Sequence, residues 1–111
     1  WWEENREKTQ HFFNNTLHAG GEAPYYAEPW VCDKIVSLHL MSPAMLCVLP
    51  LQDWLSIDGK LRRENPLEEQ INVPANPRHY WRYRMHLTIE QLIAAEDYNR
   101  LLRDKILASG R

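Results

Sequence analysis

The chain has 111 residues, enough for one domain with a modest core. Hydrophobic residues make up 44% and charged residues 25%, the balance of a globular protein and not of a disordered one. A formal charge of −2 without a basic block excludes nucleic acid and anionic membrane as main partners, and no apolar run approaches the roughly 18–20 residues that span a bilayer. The start at Trp1-Trp2, without a Met or a signal-peptide pattern, reads as the beginning of a piece of something longer. Cys32 and Cys47, each in an apolar segment and without CxxC spacing, read as buried free thiols in a reducing compartment.

In chain order, Trp2 to Leu17 is predicted as a helix, charged over Glu3–Lys8 and apolar at Phe12, Phe13 and Leu17. His18-Ala19-Gly20-Gly21 stops it, and Glu22–Ala27, with Pro24 and Tyr25-Tyr26, is a loop. Pro29 suits the first turn of a second helix running to about Met41. Val31, Ile35 and Leu38 form one apolar row on it, and Cys32, Val36 and Leu40 a second, so that helix should be buried on more than one side. Ser42-Pro43 ends it. Ala44–Leu49, apolar on both faces, is predicted as a short strand covered on both sides, as in a central parallel sheet. A long polar loop follows Pro50, and Thr88-Ile89-Glu90-Gln91 then opens a further helix with a capping-box pattern. Tyr98, Leu101, Leu102 and Ile106 give its continuation an apolar stripe, and Gly110 is a stop. The expected class is mostly α with one short buried strand, in a single segment, 1–111. One strand cannot make a sheet, so its partners must be sought elsewhere.

The polar stretch after the strand carries the candidate chemistry, because a buried strand feeding a polar loop is how α/β enzymes present site residues. Adjacent acids such as Glu68/Glu69 and Glu96/Asp97 point in different directions on a helix and read as solvated, as do the Arg62-Arg63 and Arg78/Arg82/Arg84 clusters. Asp53, just past the strand end beside Gln52 and Trp54, either caps a short turn at Trp54–Ile57 or lines a site. The five histidines lack metal-site spacing, no serine lies in GxSxG, and four glycines make no phosphate loop, so no metal or cofactor is expected. Aromatic rings (Tyr25, Tyr26, Trp30, Trp54, Tyr80, Trp81, Tyr83) beside amides and carboxylates suit pyranose C–H faces and hydroxyls, although core packing claims most such rings. On its own, Asn72 before Val73-Pro74 is a turn residue.

Read together, Trp1-Trp2-Glu3-Glu4, Pro50-Leu51-Gln52-Asp53, Ile71-Asn72-Val73-Pro74 and Tyr80-Trp81-Arg82-Tyr83-Arg84 resemble, in order, the carboxyl-terminal part of the 4-α-glucanotransferases (amylomaltases, disproportionating enzymes) of glycoside hydrolase family 77. Pro74 is followed by Ala75-Asn76 where many bacterial amylomaltases have Gly, a wording similar to the plant-cytosol branch. The resemblance implies the last helix–strand unit of a (β/α)8 barrel plus carboxyl-terminal helices. It also implies a retaining double displacement on α-1,4-glucans and a cytoplasmic location. It places all three catalytic carboxylates upstream, so none is expected here, and the isolated chain should be inactive. By carry-over, Asn72 and Pro74 line the donor side of the cleft, Gln52 and Asp53 hold the strand-end side, and Trp81 and Arg84 anchor the loop. The partner implied is a maltodextrin. A free-standing α-helical interaction module and a sugar-binding module are the competing readings. The strand tells against the first and the lack of further strands against the second. An uncovered strand and a two-sided apolar helix also predict self-association.

Overall fold

The computed structural model describes residues 5–111, so the predicted helix start at Trp1–Glu4 lies outside the described residues. Helix α1 covers Arg6–His11 and passes directly into a π-helical turn at Phe12–Thr16. Asn5 caps α1, its side chain accepting from the Lys8 N–H at 2.9 Å. The widened turn is marked by the Leu17 N–H donating to the Phe12 carbonyl, five residues back. His18 then takes a left-handed backbone (φ 48), which ends the helix where the sequence predicts. The loop behind it is strapped to the helix. Asn14 Nδ2 donates to the Ala19 and Gly21 carbonyls at 2.7 and 3.1 Å, and the Ala23 N–H donates to Gln10 Oε1 at 2.9 Å.

Helix α2, Pro29–Leu40, has Pro at its first position as expected and forms the spine of the molecule. Its two apolar rows face two different cores. Val31, with Ile35 beside it, packs with Phe13, Leu17 and Ala23. Val36 and Leu40, with Cys32 beside them, pack with Leu55, Ile57 and Tyr98. Leu38, the third member of the first predicted row, is exposed. Cys32 and Cys47 are free and half-buried against the second core.

No β-strand is present among the described residues, and the predicted strand Ala44–Leu49 is an extended but irregular segment. A strand is defined by ladder bonds to a neighbour, and among the described residues no ladder pairs another segment with this one. Its alternation survives in a different form. Cys47 and Leu49 pack on the core, whereas Met45, Leu46 and Val48 are 91%, 78% and 89% exposed. The carbonyls at the start of the segment are held from a distance: the Arg111 guanidinium donates to those of Leu40, Ser42, Ala44 and Met45 at 2.7–3.3 Å. The expectation of a strand covered on both faces is therefore corrected to an extended segment covered on one.

Helix α3, Leu51–Leu55, begins on Pro50 and buries Leu55. After the polar arm, α4 (Ile89–Ala94) opens with the predicted capping box: Thr88 N–H donates to Gln91 Oε1 at 2.8 Å and Gln91 N–H to Thr88 Oγ1 at 3.2 Å. The continuation is not one helix. Ala95 leaves the helical region (ψ 60), and Asn99 Nδ2 donates to the Leu92 carbonyl, which also accepts from the Ala95 N–H at 3.3 Å, before α5 runs from Glu96 to Ala108. Gly110 (φ 76) ends α5 in a Schellman pair, Gly110 N–H to Leu107 and Arg111 N–H to Ile106. Of the predicted stripe, Tyr98 is buried and Leu102 partly so, but Leu101 and Ile106 face outward. Lys105 fastens α5 to α2 through Asp33 at 2.6 Å and Ser37 at 3.1 Å.

Candidate functional site

The four predicted site residues do not converge. Gln52 and Asp53 are neighbours on α3, so their side chains diverge by about 100°. Gln52 lines a crevice of about 100 Å³ with Ser56, Arg62, Arg63, Pro66 and Glu69. Asp53 lines a different hollow, of about 130 Å³, against α2 with Cys32 and His39. It sits within the first turn of α3 and is not the cap of a turn at Trp54–Ile57. The capping expected of it falls to Asp58, whose carboxylate accepts from the Lys60 and Leu61 N–H groups at 2.7 and 3.0 Å. Asn72 and Pro74 are exposed on the arm beyond the 3₁₀ turn Pro66–Glu69. Gln70 Nε2 donates to the Asn72 carbonyl at 3.2 Å, and the His79 ring bonds the Ile71 carbonyl at 2.9 Å, so the arm has its own local frame.

The strongest organisation in this region was read as solvated charge. Arg63 is a hub with only 15% of its side chain exposed. Nε donates to Glu69 Oε1 at 3.0 Å, Nη1 to Glu68 Oε2 at 2.7 Å and Nη2 to the Arg84 carbonyl at 2.6 Å. Tyr83 donates its hydroxyl to the other Glu69 oxygen at 2.8 Å and lies under the guanidinium, 5.7 Å from ring centre to Cζ. Burial, aided by that hydrogen bond to Glu69, pushes the Tyr83 phenol above its usual pKa, so it stays a donor at physiological pH. His86 completes the group: Nε2 bonds the Leu61 carbonyl at 2.8 Å and Nδ1 lies 3.8 Å from Glu69. These residues clasp both ends of the arm to the Leu61–Arg63 segment. Glu69 is thus half-buried and paired, and Glu68, though 56% exposed, is paired with the same guanidinium.

Arg62 is likewise no part of a solvated run, since Nη1 reaches the Ala27 carbonyl at 3.1 Å and ties α3's exit to the loop before α2. Trp81 is 73% exposed, and Arg84 takes part through its carbonyl while Arg63 and Tyr83 do the fastening. The signal that could have found the clasp is the spacing of one Arg, one Glu and one Tyr at the two ends of a polar loop. Single-sequence reading cannot pair such residues without knowing where the loop closes. Among the described residues, no group of His, Cys, Asp and Glu could hold a metal ion, and no helix is long and apolar enough to cross a membrane.

The family model described as 4-alpha-glucanotransferase, glycoside hydrolase family 77, matches residues 1–89. That span takes in α1 through the clasped arm and ends at the start of α4. The chain is 35% identical over all its 111 residues to 4-alpha-glucanotransferase DPE2 of Oryza sativa subsp. japonica. It spans 12% of that relative's length. No solved structure matches it.

Proposed function

The chain belongs to the 4-alpha-glucanotransferase family, glycoside hydrolase family 77, and from that we propose that it forms one wall of a glucan-binding cleft in a retaining transglycosylase. In the reaction proposed for the whole enzyme, a carboxylate oxygen bonds the anomeric carbon as the glycosidic C–O bond breaks. A carboxylic acid protonates the departing oxygen. An acceptor hydroxyl then attacks the same carbon, losing its proton to that residue and releasing the nucleophile. This chain provides none of those groups in our reading; it orients the sugar. The observation that carries the proposal is that the matched span covers both Gln52, which lines a small crevice, and the clasped arm bearing Asn72 and Pro74. Asp53, turned toward α2, is assigned to support and not to sugar contact.

An α-1,4-glucan as substrate and a cytoplasmic setting belong to the same reading, the latter supported by two free, half-buried thiols. The family match favours it over a helical interaction module. In the full-length enzyme, Gln52→Ala and Asn72→Ala should each lower maltotriose disproportionation by about ten- to a hundred-fold, because a bond to a sugar hydroxyl that tightens in the transition state contributes roughly 1–3 kcal/mol. The isolated chain should release no glucose from maltose. Wild-type kinetics for both variants, or turnover by the isolated chain, would overturn this assignment.

A further inference from the structure

A larger cleft, about 880 Å³, lies between the loop before α2 and the segment after α3. Its lining is mixed and balanced in charge: it includes Glu28 and Glu64, Lys60 and Arg62, the Asn65 amide and the Tyr26 ring. Tyr26 is 64% exposed. Tyr25 meets it edge-to-face, at 4.8 Å between centroids and 83° between planes, an arrangement that covers at most one face of either ring. The walls are fixed. Arg62 bonds the Ala27 carbonyl across the floor, and Asp58 holds the backbone of Lys60 and Leu61.

An ionic ligand of either sign would meet a like charge beside each opposite one. A neutral ligand with many hydroxyls finds donors and acceptors in equal supply, and a pyranose also offers the C–H face that an open tyrosine ring takes. Arg62 and Pro66 line both this cleft and the crevice at Gln52, so the two adjoin one short segment.

We propose that the Tyr26–Lys60–Glu64 cleft is a second, non-catalytic binding site for an α-1,4-glucan chain. The geometry carries the sugar class; the α-1,4 linkage rests on the glucan-transfer reading above. Holding a long glucan next to the substrate-lining wall raises the local concentration of chain ends there.

The test is titration of the ¹⁵N-labelled chain with maltoheptaose, followed by NMR, with cellohexaose as control. Saturable shifts should appear at Tyr26, Lys60 and Asn65, with a Kd on the order of 1 mM. Tyr26→Ala should weaken binding about tenfold or more, Tyr26→Phe should keep it, and Gln52→Ala should leave these shifts in place. Because Tyr26 is exposed, its truncation spares both cores; Glu64→Ala, expected to weaken binding about threefold, is the second variant. Absence of shifts at Tyr26, or equal binding by the Tyr26→Ala chain, overturns the site. Equal binding of cellohexaose overturns the α-glucan assignment. Either failure leaves the transferase reading intact, since that one is judged by turnover of the Gln52 and Asn72 variants in the full-length enzyme.

Discussion

Tyr98 places an unsatisfied hydroxyl in the second core. That hydroxyl has no hydrogen-bond partner among the described residues, and the residue is 6% exposed. Burial, with the nearby Asp58 charge adding to it, pushes the phenol up to about 12. The neutral form is thus favoured in the folded state. The stability this group contributes is complete below the unfolded pKa near 10 and is lost as pH rises through about 12. Tyr98→Phe removes an unsatisfied hydroxyl and keeps the ring, so urea unfolding near pH 8 should show a gain of about 1 kcal/mol. The variant should also lose less stability between pH 10 and 12 than the wild type. A variant less stable than the wild type at pH 8 would mean that the hydroxyl has a partner in solution. At this scale the sequence was readable where a side chain acts on its own backbone. The Thr88–Gln91 box and the Pro29 start are both in place. It was not readable where a role falls to another residue, as from Asp53 to Asp58, because α3 starts at Leu51 and takes Asp53 into its first turn, while the loose N–H groups of the following turn lie just after Asp58.

Among the elements, the polar arm depends on the clasp more than on secondary structure. Apart from the 3₁₀ turn and local turns, residues 66–84 have no regular backbone ladder, and Arg63, Glu69, Tyr83 and His86 close their base. Arg63→Met keeps the stem and removes every donor. The exposed arginines Arg78 and Arg82 should then be cut by trypsin about tenfold faster or more, with α5 and α2 unaffected in the early products. An unchanged cleavage rate would show that the arm is held by something other than Arg63. The helices themselves follow from period: both rows of α2 were visible as i, i+4 spacing, and both found cores. The strand at Ala44–Leu49 was misread because an apolar run states only that it wants cover. Whether cover comes as a ladder depends on residues far away in sequence, and no local pattern encodes them.

For the whole molecule, the exposed face of that run is the main liability. Met45, Leu46 and Val48 are exposed, as is Met41 at the end of α2, and the segment's backbone has no ladder partner among the described residues. The isolated chain should therefore self-associate, with light scattering giving a mass that rises with concentration. Leu46→Lys together with Val48→Lys should return it to a monomer without loss of helical circular dichroism, since neither side chain belongs to a core. A wild-type chain that stays monomeric at high concentration would remove this expectation. Fold class at the coarse level, mostly helical, was legible from the stripes. The division into two cores sharing α2 was not, because nothing in the sequence separates two rows that meet one partner from two rows that meet two.

The Arg111 fork gathers carbonyls from Leu40, Ser42, Ala44 and Met45, which lie 66 to 71 residues back along the chain. It turns that stretch of polypeptide into a noncovalent ring. Closing a ring of that size costs entropy that grows only slowly with length, while a hydrogen bond from a charged group contributes at most about 1.5–3 kcal/mol net of competition with water, and less where the guanidinium is exposed as here. The last turn of a terminal helix is ordinarily the first part of a protein to fray and exchange its amides. Here it cannot open without also releasing the bend between α2 and the apolar segment. The two should therefore exchange amide hydrogens as one unit, so that the end of the chain keeps time with its middle.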